Sequence, residues 1–141
     1  MEKFSQLLED IIFSPSTNKK IDLLVKYFNE VNTLEKGSAL TILSSNHNLK
    51  SLRISDLKKL IYSRIDKTLF ELSYDYVGDL AETISLIWKS KKSSKINKLP
   101  LLSEFLCYCK EKSKDDVYNY TINLLDRSNA TQRWTIIKIL F

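Results

Sequence analysis

Asp75, Asp79 and Glu82 stand close together in "LSYDYVGDLAETISLIW", Leu72 to Trp88, and three carboxylates at such short spacing can hold a metal ion or do acid–base work. The same spacing has a plainer reading. Asp79 and Glu82 are related as a helix cap and the residue three positions on, and Asp75 suits a surface pair with lysine. The single histidine, His47, lies in the polar "SSNHN" and reads as a solvated residue, since no serine or cysteine motif accompanies it. One histidine excludes paired-histidine zinc sites, G-x-S-x-G is absent, and Gly37 and Gly78 are too isolated to build a glycine-rich phosphate loop. Cys107 and Cys109 in "FLCYCKEK" would point roughly 200° apart on a helix, which suits core and boundary positions better than a shared metal or a disulfide. No complete catalytic constellation is present, and no metal or cofactor is expected in this chain.

Binding chemistry is better represented. The net charge of +5 and pI near 9.1 suit a polyanionic partner, although a lysine-rich composition produces the same balance without one. "KSKKSSKINK", Lys89 to Lys98, holds five lysines, three serines and no acid. Without an apolar stripe it reads as an exposed linker over about 89–99. Lys89, Lys91 and Lys92, with Lys95 and Lys98, are either a diffuse counterion for a polyanion or simply solvated.

The elements that must position such residues are helices. Two glycines and two prolines leave little material for β-turns, and at 43% hydrophobic a chain of 141 residues can form one core, so the expectation is a single all-α domain, 1–141. Apolar residues recur at helical spacing: Phe4, Leu7, Leu8, Ile11, Ile12, then Ile21, Leu24, Val25, Phe28, Val31, with Pro15 between the two runs. Ser16 or Thr17 can cap the second helix. A third helix is expected from Thr33 to about Ser44, a fourth through Ile54, Leu57, Leu60, Ile61 and Ile65, and a fifth headed by Thr68 and Glu71 at capping-box spacing. Gly78 then turns the chain, and Asp79 opens the next helix. Further helical patterns run through Leu101, Leu102, Phe105, Leu106, then Val117, Thr121, Leu124, Leu125, and finally "RWTIIKILF", which is apolar round most of its circumference and should be central. Asn129 and Gln132 have capping-box spacing at its head. An end on "KILF", with neither glycine nor a polar tail, fits a chain cut from something longer. No stretch approaches 18 apolar residues, and Glu2, Glu9 and Asp10 stand where a signal peptide would be apolar, so a cytoplasmic protein without a membrane partner is expected.

The stretch "LFELSYDYVGDLAETISLIW" resembles the amino-terminal DNA-binding domain of bacterial ATP-dependent DNA ligases, with an uninterrupted match from Ser73 to Thr83. "FSPSTNKKIDLLVKYF" is similar to the family's early loop and second helix. "LLDRSNATQRWTIIKILF" is similar to the helix that leads toward the rest of the enzyme. These stretches stand in the family's order. The resemblance implies a monomeric helical domain that grips nicked duplex DNA through phosphate backbone and minor groove, for nick sealing in replication, repair and recombination. The adenylated lysine of a K-x-D-G motif is missing, since Lys36 directly precedes Gly37 and Val77 precedes Gly78. ATP, Mg2+ and the catalytic domains are therefore expected only after residue 141, and this segment should not ligate alone.

The DNA contacts expected on this reading are the loop residues Ser16, Asn18 and Lys19, the bare corner at Gly78, the final helix start at Thr131, Gln132 and Arg133, and the lysines Lys89, Lys91 and Lys92. Arg133 has an alternative partner in Asp126 or Asp115. Tyr74, Tyr76, Trp88 and Trp134 suit helix packing better than base stacking. The rival reading is a helical protein-interaction module with no nucleic-acid role, whose groove receives a partner helix.

Overall fold

The computed structural model describes residues 1–44, 49, 52–90 and 98–141. Among the described residues there are nine α-helices and no strand: α1 (Glu2–Phe13), α2 (Thr17–Glu30), α3 (Thr33–Leu43), α4 (Ile54–Tyr62), α5 (Lys67–Val77), α6 (Leu80–Ile87), α7 (Leu102–Glu111), α8 (Lys114–Arg127) and α9 (Ala130–Leu140). The all-α expectation is met. No helix is long and apolar enough to cross a membrane, among the described residues.

The last helix is central, as its apolar circumference requires. α9 packs on α6, α1 and α8, and buries Thr135, Ile136, Ile137, Ile139 and Leu140. Around it the core is closed by Phe4, Leu57, Phe70, Ile84, Phe105 and Leu124, each fully buried. α3 packs on α7 at the side, where the buried Glu35 accepts hydrogen bonds from the Leu102 N–H at 3.0 Å and the Ser103 N–H at 2.7 Å. Its carboxylate thereby caps α7 from another helix. Burial pushes the Glu35 carboxyl up, but the Ser103 side chain and the two amides outweigh it and hold the group below the usual range.

Several sequence expectations shift in register. Thr68 does not head α5: Asp66 does, accepting from the Leu69 N–H at 3.0 Å, because a carboxylate one residue ahead of the helix is the stronger cap. Glu71 pairs instead with Lys67 at 3.7 Å. α4 ends at Tyr62, and Ile65 enters the core from the turn that follows. α2 lies at the periphery, so Ile21 and Val25 are exposed while Tyr27 is the residue it buries. Ile12 and Ile54 are likewise exposed. Of the expected linker, Lys89, Ser90 and Lys98 are exposed, whereas Leu99 is buried beside Pro100, whose carbonyl accepts from the Met1 ammonium at 3.0 Å. His47, Lys91, Lys92 and Lys95 lie outside the described residues.

Candidate nucleic-acid interface

The corner between α5 and α6 forms because α5 runs to Val77 and then needs a left-handed residue. Gly78 supplies it, with φ +78°, donating its N–H to the Tyr74 carbonyl at 2.8 Å. Nothing lies within 4 Å of where a Cβ would stand, so Gly78 is there for backbone conformation and faces open solvent. Asp79 caps α6 by accepting from the Glu82 N–H at 2.8 Å. Its second oxygen accepts from Lys138 Nζ at 2.7 Å. Desolvation pushes the Asp79 carboxyl up, yet the Lys138 contact and the amides of α6 hold it below its ordinary value. The Glu82 carboxylate does not reach back, so the expected box is half formed. Asp75 is exposed and makes no ion pair among the described residues.

At the head of α9 the capping box is complete. Asn129 Oδ1 accepts from the Gln132 N–H at 2.9 Å, and Gln132 Oε1 accepts from the Asn129 N–H at 3.0 Å. Thr131 donates its hydroxyl to Glu9 of α1 at 2.7 Å. Arg133 turns inward, donating from Nε to the Leu125 carbonyl at 2.9 Å, from Nη1 to the Ser85 carbonyl at 3.4 Å and from Nη2 to Ser90 Oγ at 2.8 Å. Burial lowers its pKa, opposed by the Asp126 charge. All three guanidinium nitrogens are thereby committed, to α8, to α6 and to Ser90 just beyond it, and among the described residues the direct partner is neither Asp126 nor Asp115. Asp126 instead accepts from Arg64 Nη2 and from Trp88 Nε1, each at 3.0 Å.

α6 and α9 run antiparallel, as the pairs Asp79–Lys138 and Ser85–Arg133 require. The Gly78 corner and the head of α9 consequently sit at opposite ends of this pair, roughly 10 Å apart along the axis. They border one surface groove of about 450 Å³, which Asp79 and Thr131 line together with Ile12 and Phe13 from the end of α1.

The α1–α2 loop presents a different surface. Ser16, Asn18 and Lys19 are exposed, but only Ser16 belongs to the loop, and it precedes α2 without capping it; Asn18 and Lys19, expected in the loop, lie in the first turn of α2. α2 alone, among the described helices, has neither a capping side chain nor an acid in its first turn. α3, α5, α6, α8 and α9 carry side-chain caps, whereas α1, α4 and α7 place Glu2, Asp56 and Glu104 there. Its first amides and helix dipole are left uncompensated beside Lys19 and Lys20. Lys89 is exposed at the far end of α6.

Tyr76, read as a packing residue, is instead 92% exposed, two residues before the Gly78 corner. A helix face that covers no neighbour leaves its aromatics in water, and the apolar pattern alone does not reveal which face that is. Trp88 is buried as expected, Trp134 is partly buried, and Tyr74 stacks on Phe70 at 6.0 Å. The thiols match their sequence reading: Cys109 is buried, which pushes its pKa up to about 12, and Cys107 is an exposed free thiol. No family model, curated protein or solved structure matches this chain.

Proposed function

We propose that this chain is the DNA-binding domain of an ATP-dependent DNA ligase and holds nicked duplex DNA by its phosphates. The observation that carries the reading is the uncapped, acid-free start of α2 at Ser16, Asn18 and Lys19, a ready anion site in a chain of net charge +5. The ligase assignment itself rests on the resemblance centred on Ser73 to Thr83. Lys89 and the lysines after it add attraction that needs no fixed geometry. Gly78 offers a second approach, because its corner is bare and Tyr76 stands exposed beside it. Arg133, Thr131 and Gln132 act on this reading by holding α9 rather than by touching phosphate.

Lys19→Glu separates binding from folding. An acid in the first turn of α2 favours the helix dipole, so stability should hold or rise by about 0.3–1 kcal/mol. Binding to a nicked duplex should weaken, with the slope of log K against log salt shrinking by about 1. An affinity for nicked duplex that ignores salt would sink the DNA reading, and an unchanged slope in Lys19→Glu would remove α2 from it.

At Gly78, asparagine tolerates the left-handed conformation while adding a side chain to the corner. Gly78→Asn should cost less than about 1 kcal/mol in thermal unfolding and weaken DNA if the backbone there approaches a phosphate. Full affinity in a folded Gly78→Asn protein would take the corner out of the interface.

A further inference from the structure

We propose that the groove between α1, α6 and α9 docks an amphipathic helix of a partner protein, with large apolar side chains on one face and lysine or arginine beside them. Three apolar residues stand unusually far out around it: Phe13 is 79% exposed, Leu86 61% and Ile12 55%, with Trp134 partly buried between them. A contiguous patch of this kind on an otherwise lysine-rich surface is a contact site rather than scatter. Its walls are helices, and a groove between helices receives the apolar face of another.

The charge of the groove selects the partner. Among the described lining residues, Glu9, Asp79 and Glu82 stand against one cation, Lys138, which is already committed to Asp79 at 2.7 Å. Glu82 is exposed, and its carboxylate has no partner among the described residues. The chain as a whole carries +5, so the groove is a local reversal of sign. That reversal disfavours a phosphate backbone inside the groove, whose lining reaches Asp79 but does not include Gly78, and draws a basic segment to this place rather than to the surface at large. The groove is thus separate from the α2 site and does not depend on DNA binding.

Two synthetic helices of about 15 residues, long enough to hold helical structure, test this on the full chain by fluorescence anisotropy. Both carry the same leucine stripe, one with a lysine polar face and one with a glutamate face. The lysine-faced helix should bind at least about tenfold more tightly than the other. Phe13→Ser and Glu82→Lys should each weaken it about tenfold, the size of an anchor contact. Phe13 is exposed and ends its helix, so Phe13→Ser should melt like the parent and keep its affinity for nicked duplex, whereas Glu82→Lys removes the first-turn acid of α6 and should stay folded with a lowered melting midpoint. Equal binding of the two helices, or no loss in either variant, would overturn the proposal. So would loss of nicked-duplex binding in Phe13→Ser, which would make the groove part of a DNA surface.

Discussion

Asp126→Ala is expected to lower the unfolding free energy by about 3–5 kcal/mol, the cost of leaving a buried charge without its partner. The Asp126 and Arg64 side chains are each only 12% exposed and meet at 3.0 Å. Asp126 also accepts from Trp88 Nε1 at 3.0 Å, while the Arg64 guanidinium lies over the Trp88 ring, 5.4 Å from its centroid. One carboxylate therefore joins the turn after α4, the end of α6 and the last turn of α8. Removing it strands a guanidinium and an indole N–H together. Asp126→Asn should lose less, because an amide oxygen can still accept from one of them. Urea unfolding reads this as a lower midpoint at unchanged slope. A shift below about 0.5 kcal/mol, the level of an ordinary surface change, would show that the cluster is not holding the domain together.

Glu35→Ala is expected to cost about 3 kcal/mol, since it leaves two amides of α7 unpaired at a buried helix start and removes the negative charge that faces the helix dipole. Its signature is in the pH dependence. The folded-state pKa is held below the ordinary value of 4.5, so the unfolded chain binds this proton first as acid is added. Stabilisation by Glu35 is complete above about pH 4.5 and is lost as pH falls through the lower folded value. Glu35→Gln should retain one acceptor, lose less than alanine, and approach the parent's stability as the pH drops through this window. A gap that is constant from pH 7 to about pH 3 would mean that the carboxylate charge contributes nothing.

These two residues also mark what is hard to read from a linear chain. Glu35 occupies a helical position where an acid usually faces water, and its partners are 67 and 68 residues away. Asp126 and Arg64 are separated by 62 residues. No local pattern announces such pairs, because the energy that makes them useful appears only when water is removed from both partners by packing. The same holds for Arg133. As a cation at a helix start it looks like a phosphate contact, yet the inward turn of its guanidinium depends on carbonyls that α6 and α8 bring to it.

The local rules carried further. Helical periodicity, the scarcity of glycine and proline, and short-range caps determine from the sequence alone that the chain is all-α, that Asn129 and Gln132 open the final helix, that Asp79 opens α6, and that this final helix is central. Each of these depends on residues within about one turn of one another, or on how much of a helix is apolar, and both are properties of the chain itself. Tertiary structure alone decided which apolar residues stay in water. Ile12, Ile21, Val25 and Ile54 fit helical stripes as well as buried residues do, and only the arrangement of neighbours leaves them uncovered. It also settled the glycine at the corner. The sequence requires a turn at Gly78, whereas the packed helices show that nothing presses on it, so the requirement is a positive φ and not a lack of room.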